Sequence, residues 1–177
     1  TYLLSDILYI QKNNIVLRGA GQDKTILYFS KDLVTLKNDT DQYPWVYGTG
    51  GLLWASPVND TIGNLITTVS AAAKRGATKI TVSSTSGFSV GQYVILSLTD
   101  EDLDFSDGYS GTFVKHLYND LKTPGVGAGY KQLNWPVMIS GINGNVLTLQ
   151  QPLKTDVRLV WQPKVSQYTP IREVGIE

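Results

Sequence analysis

The densest charge in the chain lies in Asp100-Glu101-Asp102-Leu103-Asp104-Phe105-Ser106-Asp107. Carboxylates so spaced suit a hard cation such as calcium, which gathers several oxygen ligands. Asp100, Asp102 and Asp104 fit the first, third and fifth positions of an EF-hand loop. Phe105 then stands where glycine must turn the chain, and Gly111 where a bidentate Glu must close the site. The EF-hand reading fails. A solvated acidic loop is the default, and a looser calcium site at Asp100, Asp102, Asp104 and Asp107 is the alternative. No other cofactor is expected. His116 is the single histidine. No nucleophile elbow accompanies it, so it reads as a strand or loop residue and not as a catalytic base.

Aromatic rings give the stronger functional signal. Tyr43, Trp45 and Tyr47 alternate around Pro44 and Val46, so in an extended chain they share one face. Trp54 follows just past the flexible corner Gly48-Thr49-Gly50-Gly51, and Tyr109, Tyr130 and Trp135 stand in a long irregular stretch. A sugar offers an apolar C–H face and a rim of hydroxyls, and a flat ring beside polar groups matches both. Tyr43, Trp45, Tyr47, Trp54, Tyr109 and Trp135 are therefore the candidate carbohydrate-binding residues. The competing reading is that these rings seal a core.

Composition narrows the field. The chain has 177 residues with Lys plus Arg equal to Asp plus Glu at 15 each, so nothing draws it to nucleic acid or an anionic membrane. No apolar run is long enough to span a bilayer. The absence of cysteine excludes a disulfide scaffold, thiol chemistry and thiolate-held zinc. It also fits a secreted protein, and an extracellular location is the expectation. Ten Tyr and seventeen Gly among few charges describe a turn-rich β-protein. The best helix candidate is the short Ser70-Ala71-Ala72-Ala73-Lys74-Arg75, ended by Gly76.

The elements that must position these residues are short strands. Ile7–Ile10, Ile15–Leu17 and Thr25–Phe29 are aliphatic or aromatic runs cut off by polar corners. The text Ile15-Val16-Leu17-Arg18-Gly19-Ala20-Gly21, followed by Lys24-Thr25-Ile26-Leu27, resembles the first coils of the pectate-lyase-like right-handed parallel β-helix. Val174-Gly175-Ile176-Glu177 is similar to the start of a further coil. The chain thus begins and stops within strand-like text, and a piece of a longer β-helix protein is expected. The pectate-lyase resemblance implies calcium-binding Asp and a basic Arg on later coils. No position here matches those motifs, and Arg18 reads as a corner residue.

The pattern changes at about Asn64. Lys79-Ile80-Thr81-Val82-Ser83 alternates like a half-buried strand, and Gln92–Leu98, Val137–Ile142 and Val146–Leu149 add more. Asn143-Gly144-Asn145 between the last two predicts a hairpin, and Val157–Trp161 predicts a further strand. This arrangement resembles the β-barrel insertions of some β-helix proteins, a likeness of fold only.

The prediction is an all-β chain. Residues 1–63 and 164–177 form partial right-handed parallel β-helix coils, and residues 64–163 an inserted antiparallel β-barrel or sandwich. The preferred function is non-catalytic polysaccharide or oligosaccharide binding, as a module of a carbohydrate-active protein. A fragment of a polysaccharide lyase or glycoside hydrolase is the first alternative, and a structural or adhesive tail-spike or surface-fibre segment the second. No turnover is expected of this chain alone.

Overall fold

The computed structural model of the chain describes residues 1–38, 51–58, 62–99 and 132–177. They are nearly all β, with one five-residue helix and one 3-10 turn. They divide into two units, Thr1–Asp60 with Thr169–Glu177, and Thr61–Tyr168.

In the first unit, three strands follow one another at short polar corners: β1 (Tyr2–Leu4), β2 (Leu8–Ile10) and β3 (Ile15–Leu17). Three more follow in the same order, β4 (Leu27–Phe29), β5 (Leu53–Ala55) and, at the end of the chain, β12 (Val174–Ile176). Each pairs in parallel with its counterpart: Tyr2 with Leu27, Leu8 with Leu53, Ile15 with Val174. Two successive coils stacked face on face are the rungs of a parallel β-helix. Ile7, Ile10 and Leu33 are buried apolar residues of this unit among those described.

The corner after β3 has a steric cause. A Cβ on Gly19 would stand 3.0 Å from Thr25 Cβ, so only glycine lets the chain fold back this tightly. The Ala20 N–H donates to Thr25 Oγ1 at 2.8 Å, and Gly21 takes φ +126°. Arg18 does not cap carbonyls as a corner residue would. Its Nε donates to Glu177 Oε2 at 2.7 Å, extending the β3–β12 ladder by one ion pair.

Between β4 and β5 lies α1 (Leu33–Lys37). Asp32 caps it by accepting from the Thr35 N–H at 2.7 Å, and that bond holds the Asp32 carboxyl below the ordinary carboxylate range. The cap is in place above the usual carboxylate pKa and is lost as pH falls through the lowered one. Asn38 ends the helix in the left-handed region at φ 53°.

The second unit holds β6 (Leu65–Thr68), β7 (Lys79–Thr81), β8 (Tyr93–Thr99), β9 (Gln132–Asn143), β10 (Val146–Leu149) and β11 (Lys164–Gln167). They form one antiparallel sheet in the order β6-β11-β8-β9-β10-β7. Just past the two outer strands, Val69 bridges Val82. The Ser70 N–H also donates to Thr81 O at 2.8 Å, and the Ser83 N–H to Thr68 O at 2.9 Å. Among the described residues the sheet therefore curls round until its two outer strands meet. Alternate residues point inward: Val94, Leu96 and Leu98 from β8, Trp135, Val137 and Ile139 from β9, Leu147 and Leu149 from β10. Trp161 fills the same core and is fully buried.

Several sequence expectations shift. Residues 164–167 were assigned to the coils, but as β11 they pair with β6 and β8, and the coil unit resumes at Thr169. Ser70–Arg75 is not helical. Ala73 bridges Val157, and the Arg75 N–H donates to Asp156 Oδ1 at 2.9 Å, so long-range pairing overrides the local helix preference of the alanines. Val157–Trp161 is not a strand. It ends in a 3-10 turn at Leu159–Trp161 that drops Trp161 into the core. The hairpin stands at Asn143-Gly144-Asn145 as expected: Asn143 pairs with Val146, and the two turn residues are Gly144, at φ +54°, and Asn145. A glycine with positive φ at the first turn position is the type II′ pattern.

Candidate functional site

β2 and β5 run parallel and in register, so side chains of equal parity stand above one another at the strand spacing. Tyr9 and Trp54 are such a pair. Neighbouring Ile10 points into the unit, so Tyr9 points outward and is 42% exposed. The two rings stack with centroids 6.0 Å apart and planes 26° off parallel. This lies within the range favoured by offset aromatic pairs.

The last residue of α1 completes the group. Lys37 Nζ lies 4.5 Å from the Trp54 ring centroid and 5.4 Å from that of Tyr9, and donates to Tyr9 Oη at 2.8 Å. The negative quadrupole of the Trp54 face holds the cation, which meets Tyr9 at its hydroxyl end. Its stem is partly buried, which fixes the head group better than free solvent would. No carboxylate lies within ion-pair distance of Lys37 among the described residues. The result is a half-exposed pair of stacked rings with a positive charge against the Trp54 face.

Of the residues singled out from sequence that lie among the described ones, Trp54 joins this group and Trp135 does not. Trp135 is a correction. It is 5% exposed on β9, in register with Leu96, and packs in the barrel core, so no ring face remains for a sugar. Its Nε1 finds no acceptor among the described residues, a cost that the burial of the ring must offset. Tyr43, Trp45, Tyr47, Tyr109, Tyr130 and His116, with Asp100, Asp102, Asp104 and Asp107, lie outside the described residues. Among the described residues no three His, Cys, Asp or Glu side chains come together as a metal site. None of their helices is long and apolar enough to cross a membrane.

Sequence reasoning missed Tyr9 and Lys37. Tyr9 was available from strand parity, since it alternates with Ile10 in a coil strand. Lys37 was not, because only the fold brings α1 beside the rings. A second concavity, of about 390 Å³, is lined by Leu17, Leu27 and Ile176 beside Arg18 and Glu177. Those apolar residues stand at strand ends of the coils.

No family profile matches the chain, and no curated protein does. Solved structures do. The Gp54 tailspike of Acinetobacter baumannii bacteriophage AP22, in complex with A. baumannii capsular saccharide, matches at 15% identity and a TM-score of 0.52 over 99% of this chain and 22% of that one. The gp61 tailspike of Pseudomonas phage phi297 matches at 13% identity over the same shares, with a TM-score of 0.48. The gp49 tailspike of Pseudomonas phage LKA1 matches at 13% over 71% of this chain and 18% of that one, with a TM-score of 0.40. The chain thus spans about a fifth of the length of the AP22 tailspike. At such identity the likeness is one of fold: an all-β chain with the β-helical architecture of a phage tailspike.

Proposed function

We propose that this chain is a polysaccharide-recognising segment of a tailspike-like β-helix protein, and that a sugar ring docks on the Tyr9–Trp54 pair. The observation that carries the reading is the in-register stack with Tyr9 open to solvent. The stacked rings of adjacent coils leave Tyr9 open to solvent as an apolar surface, while Tyr9 Oη and the Lys37 ammonium supply polar groups beside it. A saccharide asks for this combination. The saccharide bound to the AP22 tailspike, a protein of similar fold, supports the assignment. It also moves the tail-spike segment ahead of the binding module of a carbohydrate-active protein favoured by sequence. The Arg18-Gly19-Ala20-Gly21 corner, with its close approach to Thr25, supports placing the coils in the pectate-lyase-like group.

The test is a glycan array on the chain, followed by titration of the best binder. Trp54→Ala should weaken binding about tenfold, the loss of roughly 1–2 kcal/mol of ring contact, while the barrel's thermal transition stays in place. Unaltered affinity in Trp54→Ala and Tyr9→Ala, or no glycan bound by the parent, overturns the reading.

A further inference from the structure

We infer that Asn143 is a site of spontaneous modification: its side-chain amide condenses with the Gly144 nitrogen, loses ammonia and reopens as isoaspartate, which loosens the seam of the barrel. The Gly144 nitrogen, having given its proton to hydroxide, attacks Asn143 Cγ. A C–N bond forms, the bond from Cγ to the amide nitrogen breaks, and ammonia leaves with a proton taken from water, which returns the hydroxide. The product is a cyclic succinimide. Water then opens the ring at either carbonyl. Opening at the main-chain carbonyl leaves the chain running through Cβ and Cγ as isoaspartate, and opening at the other leaves aspartate. Nothing is oxidised or reduced.

Asn143-Gly144 is the only Asn-Gly pair in the chain. The attacking nitrogen must approach the side chain of its predecessor, and glycine alone has no Cβ in the way. Asn14, Asn64, Asn134 and Asn145 are followed instead by the bulky Ile15, Leu65, Trp135 and Val146. Asn143 is exposed at the end of β9, and a Cβ built on Gly144 would meet nothing within 4 Å, so water reaches the pair. Two bonds tie the turn to neighbouring backbone and side chain, and both fall on carbonyls. Thr85 Oγ1 donates to Gly144 O at 2.9 Å, and the Val82 N–H to Asn145 O at 2.8 Å. Neither engages the Gly144 nitrogen.

What the turn holds decides what its modification does. Val82, which donates to Asn145 O, is also the residue that bridges Val69 where the outer strands meet. Isoaspartate adds a methylene to the main chain between β9 and the turn. Residue 143 then loses its register with Val146, and the carbonyls of residues 144 and 145 move away from Thr85 and Val82. A seam loosened there leaves the edges of β6 and β7 open to pairing.

The experiment incubates the full chain at neutral and mildly alkaline pH and follows its peptides by mass spectrometry. Residue 143 should gain about one mass unit, the exchange of an amide nitrogen for oxygen, and faster at the higher pH. An isoaspartyl methyltransferase should then methylate that peptide. Asn143→Gln, whose longer side chain closes a larger ring, should keep its mass. The barrel transition of the aged parent should fall below that of the fresh protein, while aged Asn143→Gln melts as it did when fresh. Fresh Asn143→Asp, which adds the charge without the methylene, should melt close to the fresh parent. An unchanged mass at residue 143, or isoaspartate arising first at another asparagine, overturns the site. Isoaspartate at residue 143 with an unaltered melt, or an equally low melt in fresh Asn143→Asp, overturns the effect on the seam.

Discussion

The barrel and the coils solve the same problem in opposite ways. In the barrel, six antiparallel strands close through the Val69–Val82 bridge, and Val82, Leu96, Leu98, Ile139 and Val165 are almost wholly removed from water. In the coils, Tyr2 and Leu3 remain 64% and 69% exposed, and Val16 and Tyr28 are exposed too. A closed sheet meets its own hydrogen-bonding and burial needs. A coil meets half of them and presents the other half to whatever stacks next, as repeat architectures do. The exposed strands are free to carry recognition, and the closed ones carry stability.

The largest effect should come from the barrel core. Trp161→Ala removes a fully buried ring and should cost about 3–5 kcal/mol, read as a much lower melting transition of the Thr61–Tyr168 unit. A melt shifted by only a degree or two would mean that the ring is not packed as described and would weaken the contrast. Second comes the doorway of the barrel, where the chain passes in and out beside itself. A Cβ on Gly63 would stand 2.8 Å from Gln167 Cβ and 3.0 Å from Gln167 O, backbone that yields little. Gly63→Ala should cost roughly 1–3 kcal/mol by the same melt; no loss would show that the two strands separate there. Smallest is the coil ladder's ion pair. Arg18 and Glu177 are 73% and 53% exposed, so Arg18→Ala should change stability by about 1 kcal/mol or less, less still in high salt. A larger loss in a chemical denaturation series would reveal a coil far less open than the barrel comparison implies.

Sequence legibility followed the same divide. Alternation marks Lys79–Ser83 and Gln92–Leu98 because each barrel strand has one inward face, whereas β11 carries no signal that separates it from the coils. Trp135 was misread because the strand was begun at Val137. Extending the parity back from Ile139 through Val137 puts Trp135 on the inward face. The coil corner Arg18–Gly21 was readable from glycines that sterics demand. The Tyr9–Trp54 pair was not. Partners stand 25 positions apart for Tyr2 and Leu27, 45 for Leu8 and Leu53, and 159 for Ile15 and Val174. A repeat whose turns grow by α1 and then by a whole barrel has no period to detect. The five-residue helix that carries Lys37 is likewise too short for a helical pattern to emerge.

The doorway has a consequence for the order in which the chain finds its form. The Gly63 N–H donates to Gln167 O, and the Gln167 N–H to Asn64 O, both at 2.9 Å, so the two ends of the barrel are fastened together. While the barrel is unformed, joining β12 to β3 means closing a very long flexible loop against chain entropy. Once it has formed, the Gly63–Gln167 link shortcuts the barrel, and the loop left to close between β3 and β12 falls to about a third of its length in sequence. The insertion that hides the coil repeat from a reader thus shortens the search for the chain, provided the barrel folds first.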